Sequence, residues 1–273
     1  MSSSRTERRA IATDTLSRID EIVRNVPSAS QDSTFVSAQL PLLDRGRCPN
    51  HPPATITVVN SDSFTAARNI IKEDPNAKLK TAVLNLASDE WRAGGWVLTL
   101  SKTQEEALCY SSTLYPTLKE EYYPWPNVGP ESIKGIYSPG IVVFKDDLDH
   151  DCVDLPFTDR QVVSVISVAA PRDPPLTNDQ LHFKHEQDLD CMREKIRLVY
   201  RITAHNGQEY VVLGAMGCGA YGCPPQGVAE EMKSILQEPE FKGFFKKIVF
   251  AVYSTSGNPN YDIFRRVLDR VAV

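Results

Sequence analysis

Nowhere in its 273 residues does this chain carry an apolar run approaching the ~18 residues that a membrane-spanning helix requires. No apolar signal-peptide core stands behind the first residues, Met1 to Arg9. The expectation is an intracellular protein, cytoplasmic and/or nuclear, without membrane attachment; Arg5, Arg8 and Arg9 keep nuclear targeting open. Positive charge is also scarce. The 30 Lys and Arg face 35 Asp and Glu, a balance of −5. That argues against a general nucleic-acid binder, which carries a basic face, and no direct sequence-specific nucleic-acid binding is expected. A polyanionic ligand would have to be held by local amides and a few cations, not by a broad positive field. Metal-ligand spacing is missing as well. Cys218 and Cys223 make one pair and His182, His185 and Cys191 one further group, but neither has a second pair at zinc-finger spacing. The six cysteines read as free thiols of a reducing compartment, and no metal is expected. Internal repeats and low-complexity tracts are absent. What remains, 41% hydrophobic and 24% charged, is the composition of an ordinary globular protein of one or two domains.

Against that background one segment stands out. Gly94-Gly95-Trp96 is followed, after seven residues, by Gln104-Glu105-Glu106. The apolar run Ala82–Ala87 before it reads as a buried strand, and Glu105–Tyr115 after it as a helix. A strand, a glycine loop and a helix make an arrangement that seats phosphates on loop amides and at a helix N-terminus. The same residues have a plainer reading: Thr103 as N-cap answered by Glu106 at the third helical position is a capping box. The helix dipole also lowers a first-turn carboxylate's pKa, so an acid role needs burial or a neighbouring anion to oppose it. Adjacent helical residues do not face each other, so Glu105 and Glu106 are expected to do different things.

Elsewhere, residues 7–24 space apolar side chains as a helix does, and Pro27 to Pro53 reads as a long polar connection or arm. Strands are expected at 54–59, 81–87, 162–170, 210–215 and 247–253, and a paired β unit at 135–138 and 140–144. Helices are expected at 63–71, capped by Ser61 or Asp62, and at 189–204, 226–237 and 261–271. This alternation predicts an α/β fold with a mixed sheet. A second glycine loop, Gly217-Cys218-Gly219-Ala220-Tyr221-Gly222, follows the strand ending near Ala215. If the two loop-bearing strands are neighbours, both loops flank one crevice, and two facing sets of amides would suit a diphosphate. A tight turn without a ligand is the alternative for the second loop.

The run Asn85–Trp96 leading into Gln104–Tyr115 resembles the signature of the microbial-type poly(ADP-ribose) glycohydrolases, in which a run of glycines precedes a Gln-Glu-Glu triplet. Leu213–Pro225 is similar to that family's second phosphate loop, Ile166–Pro171 to its middle strand, Phe250–Gly257 to its last, and Arg8–Leu16 to its start. The resemblance implies a macrodomain-like three-layer α/β/α core over residues 54–273, with an N-terminal helical extension and connecting arm over 1–53. It implies hydrolysis of the ribose–ribose O-glycosidic bonds of poly(ADP-ribose) to ADP-ribose. Glu106 would be the general acid and Glu105 would hold ribose hydroxyls. Asn85 and Ser88 would lie at the distal ribose. Gly94, Gly95, Trp96 and Gln104 would line the ligand from one side, and Gly217, Cys218, Gly219, Ala220, Tyr221 and Gly222 from the other. Tyr221 would pack on sugar or base, or else line the core; Phe144 and Tyr253 are assigned to the core. The implied partners are poly(ADP-ribose), ADP-ribose and ADP-ribosylated proteins, with no cofactor.

Two departures from the family pattern stand out. Trp96 occupies the third glycine's place, so either the turn is rebuilt or the indole points outward, as a stacking lid or as an obstruction. The loop also carries Asp89, Glu90, Trp91 and Arg92 where the family has small or basic residues. Arg92 could contact phosphate, whereas Asp89 and Glu90 would disfavour it unless they face solvent. Two other readings stay open: a non-catalytic ADP-ribose reader impaired by Trp96, and an unrelated α/β phosphate-ester or nucleotide-binding enzyme whose Gln-Glu-Glu is only a helix cap.

Overall fold

The computed structural model describes residues 4–255 and 257–273. Met1–Ser3, and Ser256 in the segment after the last strand, lie outside the described residues. Among the described residues seven strands form one sheet: β1 (Thr34–Val36), β2 (Ile56–Val59), β3 (Thr81–Leu86), β4 (Gly135–Val143), β5 (Gln161–Val168), β6 (Tyr210–Leu213) and β7 (Lys247–Ala251). Their spatial order is β1-β4-β5-β3-β6-β7-β2. The five strands from β5 to β2 run parallel, while β4 is antiparallel to both β5 and β1. The sheet is therefore mixed, as expected.

Side-chain alternation along each strand feeds two cores, one per face. In β3, Ala82 and Leu84 pack with α5 (Glu186–His205), α6 (Pro225–Leu236) and α7 (Asn260–Leu268). Val83 points the other way, among side chains of α1 (Arg5–Asn25), α2 (Ser63–Glu73), α3 (Trp96–Thr99) and α4 (Gln104–Ser111). The result is three layers, α/β/α. Asp62 caps α2, accepting from the amides of Phe64 and Thr65 at 2.7 and 3.0 Å. α1 opens with a capping box between Ser4 and Glu7. It packs on α4, where the Thr15 hydroxyl donates to the Tyr110 carbonyl at 2.8 Å, and Ala12 joins the same core. Among the described residues no helix is long and apolar enough to cross a membrane.

Two elements differ from the sequence reading. The polar connection is not wholly a surface arm, since Thr34–Val36 adds the edge strand β1 to the sheet. The expected β pair at 135–144 is a single strand. Its register shifts between Ser138 and Ile141, and both halves pair with β5. Gly140 makes the bend, with φ +73 and a Cβ position only 2.7 Å from the Ser28 carbonyl and the Ser30 amide.

Candidate active site

Because β3 and β6 are adjacent and parallel, the two glycine loops emerge side by side at their C-terminal ends. They flank one cleft of about 860 Å³. Its wall includes Ser88, Gly94, Gln104, Glu105, Glu106, Gly217, Gly219, Ala220 and Tyr221. Asn85, Gly95, Trp96, Cys218 and Gly222 do not line it. Asn85 is fully buried behind Glu105, and Gly222 shapes its turn at φ +63.

The carboxylates are set by the end of β3. Gln104 imitates a ladder partner: its Oε1 accepts from the Leu86 amide at 2.8 Å, and its Nε2 donates to the Leu84 carbonyl at 2.8 Å. Its task is thus to pin the start of α4 to the strand. Glu105 turns toward β3, accepting from Asn85 Nδ2 at 3.0 Å and from the Ser88 amide at 2.8 Å. Glu106 takes a different partner, the hydroxyl of Thr103. The capping box of the plainer reading is consequently absent, because the Thr103 hydroxyl makes no hydrogen bond to the helix backbone. Both carboxylates reach Gly94. A Cβ there would stand 2.6 Å from Glu106 Oε1 and 3.3 Å from Glu105 Oε2. Burial raises both acids. It pushes Glu105 up to about 8, against two hydrogen bonds that favour its ionised form, and it lifts Glu106 above 4.5. The opposition to the helix dipole that the sequence demanded is supplied by desolvation. Asp62, also on the cleft wall, is raised by burial to about 6.

Trp96 is neither lid nor obstruction. The left-handed run falls on Ala93, Gly94 and Gly95, with φ of 50, 60 and 74. Trp96 then starts α3 in right-handed geometry at φ −38. The turn is rebuilt one residue earlier, so no glycine is needed at position 96. The indole is 0% exposed and packs edge-on against Tyr110 and Tyr115, each at 5.3 Å between centroids. The reader alternative thereby loses the cause assigned to it.

The two loops are not symmetric. In the first, the amides of Ser88, Asp89, Glu90 and Trp91 are engaged by Glu105, the Tyr221 hydroxyl and, for the last two, Ser88 Oγ. In the second, no acceptor among the described residues takes the amides of Gly219, Ala220 and Tyr221. These three amides form the nest of the second loop. Gly217 is required to form it, because φ is +75 and a Cβ would meet Ala170 and Cys223 at 2.6 Å.

Asp89 does not face solvent, nor does it stand unpaired. It is 4% exposed and accepts from Arg172 at 2.8 Å and from the Tyr221 hydroxyl at 2.6 Å. Arg172 also stacks on the Tyr221 ring at 4.7 Å. The cluster ties the loops after β3, β5 and β6 to one another and neutralises Asp89 where an anion would otherwise be repelled. Arg92 points away, donating to the Tyr115 carbonyl at 2.8 Å and lying 3.8 Å over its ring. Arg172 and Tyr253 are among the cleft residues that were not foreseen. Arg172 follows the end of β5, and its only sequence signal was that position at a parallel strand's C-terminal end. Tyr253, assigned to the core, is 51% exposed on the cleft wall. Phe144 is core, as expected. Among the described residues the grouping close enough to share a cation is Asp146, Asp147 and His150. Asp146 is bound by Arg68 at 2.5 Å and Asp147 by the Thr65 hydroxyl at 2.7 Å.

With this geometry in hand, known proteins place the chain. The microbial-type PARG catalytic domain matches residues 16–146. A poly(ADP-ribose) glycohydrolase from Deinococcus radiodurans, solved in complex with ADP-ribose, is 31% identical over 82% of this chain and 87% of its own, with TM-score 0.67. The chain belongs to the poly(ADP-ribose) glycohydrolase family. That family consists of glycoside hydrolases acting on poly(ADP-ribose). The Thermomonospora curvata glycohydrolase extends the likeness to 95% of this chain and 98% of its own, at 26% identity and TM-score 0.74. The same enzyme bound to the inhibitor ADP-HPD matches at 25% identity and TM-score 0.73, with the same coverage. Among proteins with curated descriptions, none matches.

Proposed function

We propose that this chain hydrolyses the ribose–ribose bonds of poly(ADP-ribose) to release ADP-ribose, with Glu106 as the general acid. The observation that carries the reading is the pair of buried carboxylates at Gly94, both raised by desolvation, facing a loop with three unengaged amides across one cleft. A diphosphate seated on the amides of Gly219, Ala220 and Tyr221 fixes the middle of an ADP-ribose unit. Its distal ribose then lies at Glu105, whose carboxyl is oriented by Asn85 and Ser88 to hold the ribose hydroxyls. Glu106 gives its proton to the departing oxygen as the bond breaks through an oxocarbenium-like state, and water completes the reaction. Residues 54–273 carry the ligand. The extension over 1–53 braces it, since Arg8 Nε donates to the Leu100 carbonyl at 2.7 Å, just ahead of α4.

The test is digestion of purified poly(ADP-ribose) across pH. Accumulating ADP-ribose is expected, with kcat falling as pH rises through the elevated pKa of Glu106 and the donor form is lost. Binding of ADP-ribose without turnover would make the protein a reader instead. No binding at all would overturn both the glycohydrolase and the reader.

Gly94→Ala probes the same arrangement from the loop side. The added methyl collides with the Glu106 carboxylate, and the backbone must hold a left-handed conformation costing roughly 1–2 kcal/mol. Polymer hydrolysis should fall at least about tenfold, with a small loss of thermal stability. Wild-type turnover would show that the carboxylates do not depend on this contact.

A further inference from the structure

Trp91 is an indole left in solvent on the cleft wall, 64% exposed. Its place is fixed by the backbone on both sides. Its amide donates to Ser88 Oγ at 3.1 Å, and its carbonyl accepts from the Gly94 amide at 3.0 Å. Gly94 is the residue against which the Glu106 carboxylate rests. Trp91 is therefore anchored to the glycine that backs the proposed acid, with its side chain exposed on the cleft wall.

The substrate's chemistry says what arrives there. In poly(ADP-ribose) the departing oxygen is a ribose hydroxyl of the adjoining unit, and the carbon next to it bears that unit's adenine. When Glu106 protonates this oxygen, the neighbouring base lies within one sugar of the carboxyl and outside the pocket of the bound unit. We propose that Trp91 is the stacking platform for the adenine of this adjoining unit, so that the polymer is gripped on both sides of the bond that breaks. The inference rests on the proposed cleavage at Glu106. The charges beside the indole fit a base better than a phosphate. Glu90, 51% exposed, presents a carboxylate at the same rim, paired at 3.0 Å with Arg172. An anion would meet a carboxylate there, whereas a neutral ring meets an aromatic face.

Free ADP-ribose fills the cleft but has no adjoining unit, and this separates the two sides. In Trp91→Ala, KM for poly(ADP-ribose) should rise about tenfold, the size expected for loss of one base–aromatic stack. The kcat and the calorimetric Kd for ADP-ribose should stay within about twofold. Trp91→Phe, which keeps a ring, should recover most of the loss. An unchanged KM on polymer, or an equal loss of affinity for free ADP-ribose, would overturn the assignment of Trp91 to the adjoining unit. Wild-type protein that leaves polymer intact would instead sink the underlying reading of Glu106.

Discussion

Replacing Glu106 by glutamine should lower kcat on poly(ADP-ribose) by about 10²–10⁴-fold, the usual contribution of a positioned general acid. The substitution is close to isosteric. A side-chain oxygen remains for the Thr103 hydroxyl that now binds the carboxylate, and the contact with Gly94 persists. What disappears is a proton that can be transferred. Affinity for ADP-ribose should therefore stay within a few-fold, and the loss should fall on turnover. The alkaline decline of wild-type activity should vanish from whatever activity remains, because the titrating group is gone. The effect needs a carboxyl with a raised affinity for its proton, and burial raises Glu106 against the dipole of α4. Glu105, raised to about 8 but tied to Asn85 and Ser88, has both oxygens facing donors and is poorly placed to replace the lost acid. Turnover of Glu106→Gln within tenfold of wild type would assign the proton to another group.

Much of this arrangement was legible in the sequence because it rests on long apolar strands and on glycines. Thr81–Leu86 and Gln161–Val168 are buried through most of their length, so they read as continuous runs. The neighbourhood of β3 and β6, on which the single cleft depends, could be stated only as a condition, since strand order is a property of the whole chain. What was hidden depends on contacts or element ends that local composition does not mark. Asp89 reads as a repulsive surface charge until Arg172, 83 positions on, is found beside it. Tyr253 continues an apolar run, yet β7 stops at Ala251, two residues short of it. β1 has three residues and no alternation to detect. Its pairing with β4 gives a strand to a stretch whose composition reads as a loop.

Trp96→Gly should destabilise the fold rather than open the site. The sequence alone made this residue the uncertain one, since a glycine there would restore the family pattern and would free the cleft if the indole blocked it. The positive φ values end at Gly95, however, and position 96 is helical. A glycine at 96 therefore relieves no strain, and in a helix it costs roughly 1 kcal/mol relative to alanine. It also deletes the largest fully buried side chain of the protein. Removing a buried Trp typically costs about 3–5 kcal/mol, and for a chain of this size the melting temperature should drop by about 10 °C. The damage will not stay local. The indole packs on Tyr110, near the end of α4, and on Tyr115, whose ring and carbonyl hold Arg92. Loosening it releases both the glycine turn and the helix that carries Glu105 and Glu106. Polymer hydrolysis should consequently fall with stability, and Trp96→Phe should lie between the two. A Trp96→Gly protein that melts like wild type and hydrolyses faster would mean that the indole occupies the cleft after all.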